Sequence, residues 1–270
     1  MLKQRVLTAL VMAPIALFGF FGLSGIPFAL FVGAVVVVGA WEWARFSGLE
    51  SMVSRCAFAG VVAAWLVALY SQPQWGQKIV LYGAVWWFFA AFLVVRYPSS
   101  VRYWGGQAGC FLIGMFVLVP AWQALLLLKQ AEHGNYLILA VLLCVWTADI
   151  GAYFTGRKFG RRKLAPKVSP GKSWEGAIGG CLLCVVVASG VALYFDASVL
   201  QLIQVAALTV FVVAASIVGD LTESMFKRQV GLKDSSNLLP GHGGFLDRID
   251  SLTAALPVFA SILVLVGWAM

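Results

Sequence analysis

Nine stretches of this chain are almost wholly apolar: residues near 6–23, 27–44, 56–72, 79–96, 107–128, 135–154, 175–194, 199–218 and 252–269. A helix crossing a hydrocarbon core of about 30 Å needs about twenty such residues, so each stretch can span a bilayer. Runs such as Val35-Val36-Val37-Val38 and Leu125-Leu126-Leu127-Leu128 lack the in–out alternation of a membrane barrel. The predicted fold is an all-α polytopic membrane protein with about nine transmembrane helices. Composition excludes a soluble domain. Only 11% of the 270 residues are charged and 61% are hydrophobic, too few charges to cover a water-exposed surface.

Charge placement sets an orientation. Of the 19 Lys and Arg, 17 fall at the N-terminus or in the connections after even-numbered segments, leaving only Lys78 and Lys129 on the other side. By the positive-inside rule the N-terminus and those connections are cytoplasmic and the C-terminus is outside. The first segment is read as a span rather than a cleaved signal peptide, because its small-residue cleavage site is weak. Cys56, Cys110, Cys144, Cys181 and Cys184 lie in or beside apolar segments and read as small packing residues.

Two regions differ in character. Residues 1–130 read as N-terminal membrane-anchor helices, with Glu42 a solvated acid between interfacial Trp41 and Trp43. Residues 131–270 read as a catalytic membrane region with cytoplasmic loops at 155–174 and 219–251, both too long for tight turns. The first loop is strongly basic. Its Gly171-Lys172-Ser173 resembles the end of a P-loop, but Pro166 stands where that motif needs glycine, so the motif is not present. Ser169 or Ser173 is placed to cap the following helix. Asp149, inside the sixth segment, where a carboxylate costs about 2.5–3.5 kcal/mol or more, either faces a polar cavity or a cation or else snorkels or pairs within the protein.

The second loop carries the chemistry. Asp220, Glu223 and Ser224 leave the eighth segment at helical spacing, and Lys227-Arg228 follow one turn later. Asp247 and Asp250 open the ninth segment, and a helical hairpin would bring these acids together. Clustered carboxylates suit Mg²⁺, commonly held by one or two carboxylates plus substrate phosphates. Glycines 241, 243 and 244 let backbone N–H groups face phosphate oxygens. Acids for metal, bases for phosphate and glycines for close approach describe a phosphoryl- or nucleotidyl-transfer site.

The stretch from Ser224-Met-Phe-Lys227-Arg228 through Lys233-Asp234-Ser-Ser236 and Pro240-Gly-His242-Gly243-Gly244 to Asp247-Arg248-Ile249-Asp250 resembles the signature of the phosphatidate cytidylyltransferase (CDP-diacylglycerol synthase) family. The resemblance continues upstream in Asp149-Ile-Gly-Ala-Tyr-Phe-Thr-Gly156-Arg157 and Ser169-Pro170-Gly-Lys172-Ser173-Trp174-Glu175-Gly176. It implies an integral enzyme of the cell (inner) membrane with a cytoplasmic active site. There a phosphatidate oxygen attacks the α-phosphorus of CTP, yielding CDP-diacylglycerol and pyrophosphate for phospholipid biosynthesis. By the same resemblance Asp220 and Asp247 are the leading ligands of Mg²⁺, with a monovalent companion such as K⁺ allowed for, and Asp149 and Asp250 are second choices. Lys227, Arg228, Lys233 and Arg248 would hold CTP phosphates or the phosphatidate headgroup, together with Lys172, Ser173 and Ser224. The 240–244 turn, with His242, Gly243 and Gly244, would cradle phosphate. Glu175 has a sufficient structural explanation as a helix-start acid.

The expected partners are CTP, phosphatidate and membrane lipids; nucleic acid is not expected, and a homodimer is allowed for. Two other classes compete. A CTP-dependent lipid kinase needs similar parts but releases no pyrophosphate. A transporter or lipid-binding structural protein does not account for the Gly-His-Gly-Gly turn.

Overall fold

The computed structural model describes residues 2–268; residue 269, the end of the ninth apolar segment, lies outside them. Helix α1 (Leu2–Leu17) runs into a π-helical turn at Phe18–Gly22 and is followed by α2 (Gly25–Trp43), α3 (Met52–Tyr70) and α4 (Gly76–Val95). A short α5 (Val101–Trp104) leads to α6 (Gln107–Gln130) and α7 (Gly134–Phe159). A two-stranded hairpin, β1 (Lys163–Ala165) and β2 (Ser169–Ser173), precedes α8 (Trp174–Tyr194), α9 (Val199–Gln229) and α10 (Leu246–Val266). Among the described residues nine helical stretches are long and apolar enough to cross a membrane, as the hydropathy predicts.

Local chemistry sets several helix starts. Ser198 and Gln201 form a capping box at α9: Ser198 Oγ accepts from Gln201 N at 3.4 Å and Gln201 Oε1 accepts from Ser198 N at 2.8 Å. Ser173 caps α8 by accepting from Gly176 N at 3.1 Å, one of the two serines expected there. The middle of the bundle is α6 and α10, lined by Val117, Leu118, Trp122, Leu125, Leu256, Phe259 and Ala260. Helix α1 sits at the edge with Val6, Leu7, Leu10 and Val11 exposed, as lipid-facing residues are.

The helices outrun their apolar segments, which alters both expected loops. At 1.5 Å per residue the 31 residues of α9 reach about 46 Å, well beyond a hydrocarbon core of about 30 Å. Its last turns extend beyond that length as regular helix and carry Asp220, Glu223, Ser224, Lys227 and Arg228. The second loop shrinks to residues 230–245, and α10 already includes Asp247 and Asp250. In the first loop α7 continues to Phe159, and the hairpin pairs Lys163 with Ser173 and Ala165 with Ser169.

The projecting end of α9 is held by aromatic packing. Phe226 is buried against Trp43, Phe46 and Trp104, with ring centroids at 4.8, 6.3 and 4.3 Å. Such contacts contribute about 0.5–1.5 kcal/mol each beyond the apolar area they bury. Lower down, Gly219 lets α10 approach α9, since a Cβ there would stand 2.5 Å from the Asp250 carbonyl oxygen. This crossing sets the spacing of the acidic residues on the two helices.

Candidate active site

The α9–α10 crossing gathers four carboxylates and two lysines at one end of the bundle. Lys227 Nζ lies 2.7 Å from Asp247 Oδ1 and 3.2 Å from Glu223 Oε2, with all three side chains buried. Lys172, reaching across from β2, contacts Asp220 Oδ2 at 2.5 Å, and Ser224 Oγ donates to Asp220 Oδ1 at 3.2 Å. Asp220 and Asp247 thus face the same end of the bundle with separate lysine partners. Neither oxygen of buried Glu223 accepts a hydrogen bond of good geometry, and Asp250 stands within side-chain reach of it. With Asp220, Glu223, Asp247 and Asp250 set against Lys172 and Lys227, the cluster carries a formal surplus of negative charge. Uncompensated buried charge is costly, so the four carboxylates need a compensating proton or cation.

The 230–245 connection folds back onto Asp247. Asp247 Oδ2 accepts from Gly244 N at 2.7 Å and from both Ser235 N and Ser235 Oγ at 2.9 Å. Gly243 adopts a left-handed φ of +84°, and a Cβ there would stand 2.7 Å from Asp247 Oδ2. A Cβ on Gly244 would overlap Ser235 Oγ and Glu42 Oε1. Leu239 N donates to the Gly243 carbonyl at 2.8 Å, and His242 N donates to the Leu239 carbonyl at 2.9 Å. These bonds close the turn on itself. His242 Nδ1 is buried without a partner among the described residues.

The basic hairpin is tied to the same end. Glu175 accepts from Arg161 N at 3.0 Å and Arg162 N at 3.2 Å, so this acid at the start of α8 ties the connection after α7 to that helix. Arg228 Nε donates to the Val168 carbonyl at 3.2 Å and its Nη1 to the Leu232 carbonyl at 3.0 Å, so this guanidinium joins α9 to the hairpin and to the following loop. Lys233 and Arg248 are exposed and have no ion-pair partner among the described residues.

The chain matches the cytidylyltransferase family over residues 3–266. It is 58% identical over 268 residues to a phosphatidate cytidylyltransferase of Pseudomonas aeruginosa, covering 99% of both chains. It is 44% identical to a phosphatidate cytidylyltransferase of Haemophilus influenzae, covering 96% of this chain and 98% of that one. A Bacillus subtilis phosphatidate cytidylyltransferase is 30% identical, with 98% of each chain covered. The chain belongs to the cytidylyltransferase family.

In this member of the cytidylyltransferase family the structure brings Lys172, Ser224, Lys227, Gly243, Gly244 and Asp247 into one connected region with Asp220, and Asp250 lies beside them. Asp149 stands apart on α7, open to its surroundings yet within electrostatic range of Lys172 and Asp220. Ser173 has its oxygen engaged as a helix cap. Sequence reasoning places Glu223 among the acids leaving the eighth segment without giving it a role; the structure makes it a buried member of the cluster, paired at i,i+4 with Lys227. One residue of the region escapes that reasoning. Glu42 is not the solvated acid expected: it is fully buried, and its carboxylate bonds to the 235–246 segment. Nothing in its local sequence signals that.

Proposed function

We propose that this cytidylyltransferase joins CTP to phosphatidate, forming CDP-diacylglycerol and releasing pyrophosphate, at a site facing the cytoplasm from the inner membrane. The observation that carries the reading is the acidic cluster of α9 and α10 beside unpaired Lys233 and Arg248. It agrees with the name phosphatidate cytidylyltransferase borne by relatives alike over nearly the whole chain. The orientation draws further support from Thr8 near the N-terminus, whose Oγ1 donates to the Pro240 carbonyl at 2.9 Å. That contact puts the basic N-terminus on the same side as the site.

The residues present fit Mg²⁺. Their donors are hard carboxylate oxygens, and Asp220, whose side chain is partly open, meets Lys172 and Ser224 at the same end of the bundle. Among the described residues no three His, Cys, Asp or Glu converge to hold a metal ion unaided. That suits an ion whose coordination is completed by substrate phosphates and water. Asp220 and Asp247 would hold it, with Asp149 and Asp250 next in line and room for a monovalent companion such as K⁺. A divalent ion there supplies charge neutralisation to the triphosphate. Lys172 and Lys227 line the same space and offer cationic donors to phosphate oxygens. Lys233 and Arg248 at the rim hold the nucleotide, while Gly243 and Gly244, expected to cradle phosphate, instead let the turn close on Asp247, whose Oδ2 takes the Gly244 N–H. The attacking phosphatidate oxygen is already anionic, so no side chain has to remove a proton from it.

Purified protein given CTP labelled at the α-phosphate, phosphatidate and Mg²⁺ is expected to move the label into a lipid-soluble product and release unlabelled pyrophosphate. Label reaching lipid only from the γ-phosphate would identify a kinase instead. No lipid-soluble label from either position in folded protein overturns the reading.

A further inference from the structure

Glu42 lies at the end of α2, in the part of the chain that reads as membrane anchor, and it is the most completely buried carboxylate among the described residues, at 0% exposure. Burying a carboxylate is costly unless its oxygens are hydrogen-bonded or paired with a cation. Here every donor comes from a segment about two hundred residues away. Oε1 accepts from Phe245 N at 3.0 Å and from Ser236 Oγ at 2.5 Å. Oε2 accepts from Leu246 N at 2.6 Å and from Ser235 Oγ at 3.2 Å.

Two of these donors, Phe245 N and Leu246 N, open α10, and the other two belong to the connection before it. The first N–H groups of a helix have no partner within it, and Phe245, the residue before α10, offers no side-chain cap. Glu42 takes that place from another helix, with its negative charge at the positive end of the α10 dipole. Ser235 Oγ stands between Glu42 Oε2 at 3.2 Å and Asp247 Oδ2 at 2.9 Å, so its single proton serves one carboxylate at a time and its position ties both. Arg45, three residues along the chain, donates from Nη1 to the Ser235 carbonyl at 2.7 Å. Two consecutive turns of the N-terminal half thereby grip the segment that positions Asp247.

We propose that Glu42 is a positioning residue for cytidylyl transfer, which fixes the start of α10 and the Ser235–Gly244 cradle so that Asp247 presents its carboxylate in one geometry. The proposal rests on the functional reading above. Glutamine tests it well: it keeps the volume, yet its amide nitrogen cannot accept from a backbone N–H, so in either flip one of Phe245 N and Leu246 N loses its partner.

The experiment compares full-length wild type with Glu42→Gln, Glu42→Asp and, as a control for simple loss of stability, Ser261→Ala. Ser261 bonds the Val80 carbonyl at 3.1 Å, deep in the bundle and away from the site. Rates are measured against CTP and Mg²⁺ concentration, and amide hydrogen exchange is followed across residues 233–246. Glu42→Gln is expected to lower kcat about tenfold or more, as displacement of a reacting geometry does. It should also raise the half-saturating Mg²⁺ concentration and speed exchange in 233–246. Glu42→Asp should recover part of each, and it carries the same test if the Gln variant does not fold. Ser261→Ala should lower the melting temperature without moving the Mg²⁺ midpoint. Unchanged exchange in 233–246 overturns the proposal whatever the rates. Faster exchange with wild-type kcat and Mg²⁺ midpoint reduces Glu42 to a structural residue and overturns it too. Wild type that folds but transfers no cytidylyl group defeats the functional reading instead, and exchange alone then shows whether Glu42 pins the loop.

Discussion

Asp247 has both carboxylate oxygens engaged, one by Lys227 and the other by Ser235 and Gly244, whereas Asp220 is partly open and meets only Lys172 and Ser224. The two aspartates should therefore respond differently to the same change. Asp247→Asn and Asp220→Asn are each expected to lower turnover by orders of magnitude, but only Asp247→Asn should also lower the melting temperature clearly. Initial rates at saturating Mg²⁺ and thermal unfolding in detergent check this; a near-wild-type rate removes that residue from the site. The cations divide the same way. Lys227→Gln leaves Asp247 and Glu223 buried without their counter-ion, a change that costs about 3–5 kcal/mol in comparable buried pairs. Arg248→Gln, at an exposed position, should leave stability nearly unchanged and weaken CTP use by about 10- to 100-fold, the value of one charge-assisted hydrogen bond to phosphate. A fall of less than about threefold in kcat/KM for CTP would leave Arg248 with a topological role only.

At the scale of elements, the turn between α9 and α10 depends on a close approach that only glycine allows. Gly244→Ala must push aside Ser235 Oγ or Glu42 Oε1, and overpacking of this kind costs about 1–3 kcal/mol. The expected result is a lower melting temperature together with a fall in kcat, because the atoms displaced are those that hold Asp247. A change in stability with kcat intact would show that the turn tolerates repacking. The hairpin is tied to α9 from two sides, by Lys172 to Asp220 and by Arg228 to the Val168 carbonyl. Arg228 thus has a structural employment that the sequence, which marks it as one more phosphate-binding base, does not disclose. Hydropathy also misplaces the ends of α9 and α10, because a window of apolar residues stops where charge begins while the helical hydrogen bonds continue.

For the whole molecule, the proposed orientation makes a direct prediction. Lys233→Cys should react with a membrane-impermeant thiol reagent in inverted inner-membrane vesicles and not in right-side-out ones, measured against the wild-type background of five cysteines. Labelling from the outer face alone would reverse the topology. Chelation by EDTA should abolish transfer, and added Mg²⁺ should restore it. The sequence by itself determined the nine helices, since a run of apolar residues of bilayer length has no other stable solution in lipid. It also marked the α9–α10 region as the candidate site, because charged residues at fixed spacing on consecutive helices meet when those helices form a hairpin. Only the tertiary structure decided which charge faces which: Lys227 with Asp247, Lys172 with Asp220, and Glu42 with the start of α10. Glu42 and Leu246 are separated by 204 residues, and no local periodicity records such a bond. It exists because the packing of Trp43, Phe46 and Trp104 around Phe226 brings the end of α2 against the projecting end of α9, where a buried carboxylate finds the unpartnered N–H groups of a helix without a cap of its own.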